Sequence, residues 1–269
     1  MPLLHHFFGD ALIEQDTIPH DGWFSFEGVA LKWHYPLGLL YDLFSGATPH
    51  QAQRLANVQN EAIGDQLPWR ITVHFTDWPE QALVRPDADG KVFHDAFINS
   101  VKEADFVRNG TAKGIMSLSK EDSNNLWDSV QTRIFAIRAC RSALMLADNF
   151  GTFRPVFEKL LHAQGAPLRH VPIKVYLPSS PTSSQPQSGH LRVVQALVTP
   201  TIVNSREMQT IGSALQQLIP TIFPSRRTPI LAKPVLHGVV VPLNTILETL
   251  MRRACYPDGW LHVGIFMIG

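Results

Sequence analysis

A strand-glycine-strand-helix pattern that occurs twice constrains the fold of this 269-residue chain more than any other feature. The first copy is residues 24–43, FSFEGVALKWHYPLGLLYDL, and the second is residues 234–250, PVLHGVVVPLNTILETL. In each copy a β-rich run reaches a glycine, Gly28 or Gly238, and a second short apolar run follows. Two copies of one small unit built from strands and a helix are therefore expected.

The elements that follow each glycine also match in order. Pro36-Leu37 and Pro242-Leu243 each precede a stretch rich in Leu and Ile, and proline suits the first turn of a helix because it lacks the amide hydrogen that would stay unbonded there. A Trp-led run with strong β character comes next, Trp69–Phe75 in one copy and Trp260–Phe266 in the other. Strand, glycine turn, strand, short helix and strand form the second half of a β-grasp, or ubiquitin-like, fold.

The first half of such a fold, a hairpin and a crossing helix, is predicted for the second copy. His170–Leu177 and Leu191–Pro200 have strand character, and the Pro/Ser-rich segment between them is too polar to pack. Ser205–Phe223 has apolar residues at helical spacing, with Ser205 as its N-cap.

The first copy has too little chain ahead of it for a hairpin. Residues 3–12 place apolar side chains as a single helix would, and only 22 residues precede Trp23. We expect a first β-grasp domain without its N-terminal hairpin, with an exposed sheet edge, or a sequence truncated at its start.

The segment between the two units has helical periodicity. Lys91–Arg108 forms an apolar stripe that Gly110 ends, Ser119–Asp122 resembles a capping box ahead of a second helix, and a third helix is expected around Phe153–Ala163. The predicted fold class is α+β, with two ubiquitin-like β-grasp domains flanking a helix-rich domain. The expected boundaries are 1–78, 79–165 and 166–269.

Composition excludes several classes of protein. Basic and acidic side chains both number 23, so the overall charge gives no reason to expect a nucleic-acid partner. No apolar run is long enough to span a membrane, and the two cysteines, Cys140 and Cys255, have no CxxC spacing, which favours reduced thiols. Phosphate-binding loops, dinucleotide fingerprints and zinc-ligand spacings are absent. We expect no cofactor, no metal and no catalytic residue.

Among reactive side chains, Cys255 and His262 could form a thiol-imidazole pair, although a buried cysteine is the more common case. His34, His74, His237 and His262 lie on or beside predicted strands, where structural histidines are usual. Trp33, Tyr35 and Trp260 are left without a functional role, because such aromatic residues more often anchor cores.

Lys102 is the remaining candidate. It follows Val101 by about 100° around the first middle helix, off the apolar stripe, and within the run SVKEAD. Taken alone, it has the pattern of a solvated lysine with acidic neighbours.

Five segments together resemble the autophagy-related protein 5 family. These are FEGVALKWHYPLGLLYDL, LPWRITVHF, SVKEAD, the pair Leu126-Trp127 and YPDGWLHVGI, in that order, and the resemblance extends from about Trp23 to Gly269. Members of that family have two ubiquitin-like domains flanking a helix-rich domain, which is the architecture expected here.

The resemblance implies a function in autophagy. The chain would accept a second ubiquitin-like protein, autophagy-related protein 12, through an isopeptide bond to the lysine before Glu-Ala-Asp, which is Lys102. The conjugate would bind the amphipathic helix of autophagy-related protein 16. Together with the conjugating enzymes, this assembly would act as an E3-like scaffold that attaches a ubiquitin-like modifier to phosphatidylethanolamine, in the cytoplasm and peripherally on the preautophagosomal membrane.

Acceptor chemistry agrees with the absence of catalytic motifs. A lysine amine in water is neutral in roughly one molecule in a few thousand at pH 7, so activation must come from the enzyme that carries the thioester. Two other functions are kept as alternatives: a thiol enzyme that uses Cys255, and a free-standing ubiquitin-like modifier. Residues 48–66 and about twenty residues near 134–151 are insertions relative to the family pattern.

Overall fold

The computed structural model describes residues 2–9, 12, 18, 21–44, 69–139, 155–161, 168–178, 191–202 and 205–268. The helices in this part of the chain are α1 (Pro2–Phe8), α2 (Leu37–Phe44), α3 (Lys91–Asn109), α4 (Lys113–Met116), α5 (Lys120–Ala139), α6 (155–161), α7 (Ile211–Leu218) and α8 (Leu247–Ala254). The strands are β1 (Trp23–Phe26), β2 (Val29–Ala30), β3 (Thr72–His74), β4 (Val171–Pro178), β5 (Leu191–Val198), β6 (Ala232–Leu236), β7 (Val239–Val240) and β8 (Leu261–Met267).

The second unit is a complete β-grasp. Its five strands have the order β5-β4-β8-β6-β7, in which β4 and β8 are parallel and every other pair is antiparallel. The first two strands along the chain form a hairpin at one side, the next two form a hairpin at the other, and the last strand fills the centre. Helix α7 lies between the two hairpins in sequence, and its Ile211 and Leu215 are fully buried in the core. The predicted hairpin, helix and closing strand are therefore confirmed.

The first unit repeats the second half of this arrangement. Its described strands form an antiparallel sheet in the order β2-β1-β3, in which Trp23 lies opposite His74. Helix α1 contacts this unit through His5, whose ring meets Phe75 edge-on at 5.3 Å. In the described residues no strand pairs with the outer edge of β3. The strand predicted over Trp69–Phe75 is shorter than expected, because β3 comprises only Thr72–His74.

The glycine turns are the same in the two units. Glu27 and Gly28 have φ values of 47° and 79°, and His237 and Gly238 have 51° and 77°. Two consecutive left-handed residues form the turn whose twist matches that of antiparallel strands. Glycine adopts this conformation without steric cost, which explains why it occupies the second of the two left-handed positions in each turn.

The proline match between the copies was wrong. Leu40 N donates to Pro36 O at the start of α2, and the equivalent bond at the start of α8 joins Leu250 N to Ile246 O. Pro242 lies earlier, where its carbonyl accepts from Thr245 N in a turn. The helix therefore begins at Leu247, at the same spacing after its glycine as α2. Pro36 lies at the end of the turn that leads into α2, and Pro242 lies at the beginning of the turn that leads into α8. Proline, with φ fixed near −65°, is accommodated at both places.

The N-cap predicted at Ser205 was also wrong. Helix α7 begins at Ile211 and is capped by Thr210, whose hydroxyl accepts from Ser213 N at 3.2 Å while the Ser213 hydroxyl accepts from Thr210 N at 2.9 Å. This is a reciprocal capping box. Ser205 instead accepts from Glu207 N within a turn.

The middle section is helical, as predicted. Helix α3 ends where expected, with Gly110 in the left-handed region and its N–H donating to Phe106 O at 2.7 Å. Ser119 accepts from Asp122 N at 3.0 Å and caps α5, but the Asp122 carboxylate binds Lys159 at 2.9 Å instead of completing the box. Only the Ser119 half of the predicted capping box is therefore formed, and the Asp122 carboxylate joins α5 to α6.

The two β-grasp units share a core. Leu39 of α2 is completely buried in the cluster that fills the second unit, and Leu43 of the same helix packs against that cluster. Tyr35 contacts Tyr176 of β4 edge-on at 5.4 Å. Because α2 packs against β6 and β8 of the second sheet, it joins the two units.

Several predictions fall on residues outside the described part of the chain. These are the enlarged connection at 48–66, the polar loop between β4 and β5, Cys140, and the insertion near 134–151 beyond Ala139, where α5 ends. Over the described residues, no helix has both the length and the apolar character needed to cross a membrane.

Candidate functional site

Lys102 lies in the middle of α3, on the side of the helix that faces away from its buried stripe. Val101, Ala104 and Asp105 on either side of it are buried, whereas Lys102 is partly exposed and Glu103 is exposed. No hydrogen bond or ion pair joins its ammonium group to another described residue. The amine is therefore reachable from solvent and is carried by a backbone that is fixed by neighbours on both sides.

Helix α3 is fastened to the second β-grasp unit at Ser100, two residues before Lys102. The Ser100 hydroxyl donates to Asp258 Oδ2 at 2.9 Å, and the Ser100 carbonyl accepts from Trp260 Nε1 at 3.0 Å. Trp260 is completely buried, in a small cluster with Ala104 and Val107. Hydrogen bonds and apolar packing therefore both hold α3 against the second β-grasp unit.

A buried chain of hydrogen bonds continues from Asp258. His262 Nε2 lies 2.9 Å from Asp258 Oδ2, and His262 Nδ1 lies 2.7 Å from the hydroxyl of Tyr176. Burial alone would raise the pKa of Asp258, but the charge and hydrogen bond of His262, with bonds from Trp260 N and Ser100, hold that pKa below its usual range. The carboxylate is thus kept ionised.

This arrangement of Ser100, Asp258 and His262 is not a nucleophilic triad. The carboxylate lies between the serine and the histidine, whereas a triad needs the imidazole next to the hydroxyl that it deprotonates. Both ring nitrogens of His262 have partners, and its side chain is 3% exposed. The chain of bonds is a structural connection between α3 and the β4-β8 strand pair.

Lys174 adds a second connection between β4 and α3. Its ammonium lies 4.1 Å from the centroid of the Trp260 ring and 3.8 Å from Glu103 Oε2. The Glu103 side chain is 60% exposed, so the ion pair contributes little to stability. The contact with the aromatic face is the stronger of the two, because the Lys174 side chain is 17% exposed and its partner Trp260 is completely buried.

Arg108 fills the space between the end of α3 and the turn before β8. It is 1% exposed, and its Nη1 is 3.5 Å from Gly259 O. Asp105 and Asp258 lie close enough for their charges to oppose the lowering of the Arg108 pKa by burial. A Cβ placed on Gly259 would lie 2.8 Å from Arg108 Nη1, so a larger residue here would require the guanidinium to shift.

Asp105, the last residue of the Lys-Glu-Ala-Asp run, connects α3 to the short helix α4. Its Oδ2 accepts from Ile115 N at 3.0 Å and its Oδ1 accepts from Asn109 Nδ2 at 2.7 Å. The carboxylate packs so closely that a Cβ on Gly114 would lie 2.8 Å from it. This acidic residue is therefore structural, and it is completely buried.

The structure brings the helix of Lys102 and the YPDGW turn together, but it shows no hydrogen bond between Cys255 and His262, both of which it describes. Cys255 is a free thiol, and burial raises its pKa to about 12, with the positive charge of Arg108 opposing that rise. Both ring nitrogens of His262 are hydrogen-bonded, one to Asp258 and the other to Tyr176. A thiol with this pKa is almost entirely protonated at pH 7, so no support exists for nucleophilic chemistry at Cys255.

The other residues considered from sequence have structural contacts. Trp33 Nε1 donates to Val84 O at 2.8 Å, and Trp33 packs edge-on against Phe93 at 4.5 Å. His74 Nε2 is 2.7 Å from the Ser25 hydroxyl, and His237 Nε2 is 2.9 Å from Ala254 O. Burial, with Lys32 and Lys174 nearby, lowers the pKa of His34 to about 4. His74 and His237 therefore each have a hydrogen-bond partner within the fold, as expected of structural histidines.

Sequence reasoning missed the connection from Ser100 through Asp258 to Tyr176. Ser100 and Asp258 are separated by 158 positions, and no spacing rule joins them. The available signal was that Ser100 stands two residues before Lys102 and Asp258 two residues before Trp260, each within a conspicuous run.

Comparisons with known proteins agree along the whole chain. Models of the autophagy protein 5 family match residues 1–75 as its UblA domain, 90–163 as its alpha-helical bundle region and 170–265 as its UblB domain. Autophagy protein 5 of Aspergillus clavatus is 49% identical over 287 aligned positions, which cover 100% of this chain and 84% of that protein. Autophagy protein 5 of Neosartorya fischeri is also 49% identical, with 100% and 82% covered.

A solved structure has the same fold. The crystal structure of Kluyveromyces marxianus Atg5 matches with a TM-score of 0.67 and 20% sequence identity, over 99% of this chain and 81% of that chain. With family models that cover most of the chain and full-length relatives near 49% identity, this chain belongs to the autophagy protein 5 family.

Proposed function

We propose that this chain is the acceptor of the ubiquitin-like autophagy-related protein 12, which is joined to Lys102 by an isopeptide bond. The observation that supports this most directly is the state of the Lys102 side chain: partly exposed, without a partner among the described residues, and on a helix held at Ser100 and Asp105. An amine that has no ion pair to break loses no interaction when it enters the active site of the conjugating enzyme.

The reaction needs no catalytic group from this chain. The lone pair of the deprotonated Lys102 Nζ attacks the thioester carbonyl that joins the modifier's C-terminal glycine to a cysteine of the conjugating enzyme. The C–S bond breaks, the enzyme thiolate leaves, and the nitrogen releases its remaining extra proton to water or to an enzyme base. What this chain supplies is a fixed position for the amine, and fixed geometry is a large part of the rate of such transfers.

The conjugate is proposed to act with autophagy-related protein 16 as an E3-like scaffold. In this role it would bind the amphipathic helix of that partner and promote transfer of a ubiquitin-like modifier to phosphatidylethanolamine, peripherally on the preautophagosomal membrane. The proposal rests on membership of the family and on the predicted division of the chain at 78 and 165. It predicts no enzymatic activity for the chain by itself.

Reconstituted conjugation tests the acceptor site. With the activating and conjugating enzymes, the modifier and ATP, the wild-type chain should gain the mass of one modifier less one water. Lys102→Arg keeps the charge and the helix propensity, and it should give no adduct. Lys113→Arg, at an exposed position in the adjacent helix α4, is the matched control and should be conjugated at the wild-type rate. A stable adduct on Lys102→Arg would contradict the assignment.

The same reaction tests the two alternatives. A thiol enzyme that uses Cys255 should lose activity when that cysteine is alkylated, whereas an acceptor should conjugate normally. A free-standing modifier should transfer its own C-terminus to another protein, and intact-mass measurement would show this chain, instead of its partner, as the donor.

The scaffold role has its own test. Vesicles that contain phosphatidylethanolamine are mixed with the lipidation enzymes, and lipid transfer is compared with the conjugate, with the unconjugated chain and with Lys102→Arg. The conjugate together with a peptide of the partner helix should accelerate transfer, and the other two proteins should not.

A further inference from the structure

Phe106 is the only exposed large apolar side chain of helix α3, all of which the structure describes. It is 59% exposed, and it lies four residues after Lys102, which places the two side chains on the same side of the helix one turn apart. Residues at this spacing have Cβ atoms about 5–6 Å apart. An exposed aromatic side chain therefore lies one helical turn from the proposed acceptor lysine.

The fold does not require this ring. Alanine has a higher helix propensity than phenylalanine, and the contact that ends the helix, from Gly110 N to Phe106 O, uses only the backbone. The buried clusters around α3 contain Val101, Ala104 and Val107 but not Phe106. Isolated exposed apolar side chains are common on protein surfaces, so the position of this one beside Lys102 carries the argument.

The exposed residues nearest Lys102 along the helix, apart from Phe106, are polar, and Ile98 one turn earlier is partly exposed. Asn99 lies one turn before it and is exposed, and Glu103 is exposed with only a 3.8 Å ion pair to Lys174. One aromatic side chain within a polar surround is the usual composition of a small interface, in which the aromatic residue supplies most of the binding energy.

The geometry of the transfer decides which molecule covers this surface. At the moment of attack, Lys102 Nζ must be about 3–3.5 Å from the thioester carbonyl, whose sulfur belongs to a cysteine on the folded body of the conjugating enzyme. The modifier reaches the same point through its extended C-terminal tail, which adds about 3.3–3.6 Å per residue between its folded body and the amine. This difference favours the enzyme surface, instead of the modifier's folded body, as the partner of Phe106.

We propose that Phe106 is the docking anchor for the thioester-charged conjugating enzyme. This inference rests on the proposed function of Lys102 and adds a specificity determinant to it. Phe106 takes no part in bond making or breaking: the amine displaces the enzyme thiolate as described above, and the ring holds the enzyme in place while it does so.

Single-turnover transfer tests the proposal. The conjugating enzyme is charged with the modifier and purified, then mixed with increasing concentrations of the chain. Phe106→Ala should raise the half-saturating concentration of the chain about tenfold, the usual effect of losing one aromatic anchor, and leave the maximum rate within about twofold. Phe106→Leu, which keeps an apolar side chain, should recover a substantial part of the affinity.

A matched control separates docking from general surface effects. Ile230→Ala removes a side chain that is 55% exposed in the second β-grasp unit, and it should leave both kinetic parameters unchanged. Thermal melts of all variants should coincide with that of the wild type, because no buried side chain is altered. An unchanged half-saturating concentration for Phe106→Ala, or a loss confined to the maximum rate, would overturn the proposal.

The outcomes also separate this inference from the proposal beneath it. If Lys102→Arg still forms the adduct, the acceptor site is wrong. If Lys102→Arg blocks the adduct while Phe106→Ala behaves as wild type, the acceptor site stands and only the docking role of Phe106 fails.

Discussion

The carboxylate of Asp42 accepts a hydrogen bond from the backbone N–H of Gly238 at 2.9 Å and thereby joins the two β-grasp units. Asp42 lies on α2 of the first unit and is 6% exposed, and Gly238 lies in the β6-β7 turn of the second. The bond connects residues 196 positions apart. It contributes to the fixed arrangement of the units, on which the position of α3 also depends.

We expect Asp42→Ala to destabilise the protein by about 0.5–1.5 kcal/mol, because it removes the hydrogen bond that Asp42 accepts from Gly238 N, whereas the exposed Gly238 N–H can bond to water instead. Asp42→Asn keeps an accepting oxygen and should lose much less. Denaturant unfolding at pH 7 measures both. Equal losses for the two variants would show that the carboxylate charge, and not the accepted bond, is what matters.

The pH dependence of Asp42 gives a separate prediction. Burial raises its pKa, which the Gly238 bond and the nearby His237 partly oppose. A carboxyl with a higher pKa in the folded state binds more protons when folded, so stability falls as pH rises from the unfolded-state value toward the folded-state value. Asp42→Asn removes this term. Its stability relative to wild type should therefore increase as pH rises above about 4.

Asp258 should show the opposite behaviour. Its folded-state pKa is lowered, so it contributes stability that is fully present above about pH 4 and is lost as pH falls through the lower folded-state value. Asp258→Asn leaves Ser100 and His262 without their charged acceptor, and a loss of about 3–5 kcal/mol is expected at pH 7.

Denaturant unfolding of wild type and Asp258→Asn, at pH 7 and at successively lower pH below 4, measures this difference. The gap between the two proteins should narrow on acidification. A constant gap over the whole range would mean that the carboxylate charge does not stabilise the connection to α3.

Gly259 and Gly28 form a matched pair for testing the contact with Arg108. Both have positive φ, 82° and 79°, but a Cβ on Gly28 meets nothing within 4 Å, whereas a Cβ on Gly259 would lie 2.8 Å from Arg108 Nη1. Gly28→Ala should cost about 1–2 kcal/mol from backbone strain alone.

Gly259→Ala should cost about 1–3 kcal/mol more than that, because Arg108 is 1% exposed and has little room to move. Thermal or denaturant unfolding of the two variants gives the comparison directly. Equal losses would show that Arg108 relaxes around the added methyl group.

Cys255 should react slowly with alkylating reagents. Burial raises its pKa to about 12, so the thiolate fraction near neutral pH is far below that of an ordinary cysteine. Labelling by iodoacetamide in a Cys140→Ser background, with urea-unfolded protein as the control, measures the ratio of rates. Labelling of the folded protein as fast as that of the unfolded protein would contradict the raised pKa of this partly buried thiol.

The sequence by itself determined the repeated unit and its turns, because these are local effects. A Gly after Glu27 or His237 allows two successive left-handed residues, and alternating apolar residues on either side favour strands. The same reasoning located α3 and its end at Gly110. Local preferences act through steric contacts between neighbouring residues, and for that reason they can be recognised without knowing the fold.

Exact starting points of helices were less predictable. Ser205 and Thr210 are both residue types that cap helices well. Thr210 is the cap in the structure, because burial of Ile211 and Leu215 sets where α7 begins. Pro242 likewise has a conformation that suits a helix start, yet the turn between β7 and α8 places it ahead of the helix.

Only the tertiary structure decided which distant residues meet. The bonds from Asp42 to Gly238 and from Ser100 to Asp258 join segments of different domains, and each depends on sheets and helices that must pack before the partners come within reach. Burial of apolar surface over whole helices and strands sets how these segments pack. This driving force is non-directional and depends on the total area buried, so no local sequence pattern reveals which residues it brings together. For this reason the exposure of Phe106 and the contacts that hold the helix of Lys102 could be found only in the folded molecule.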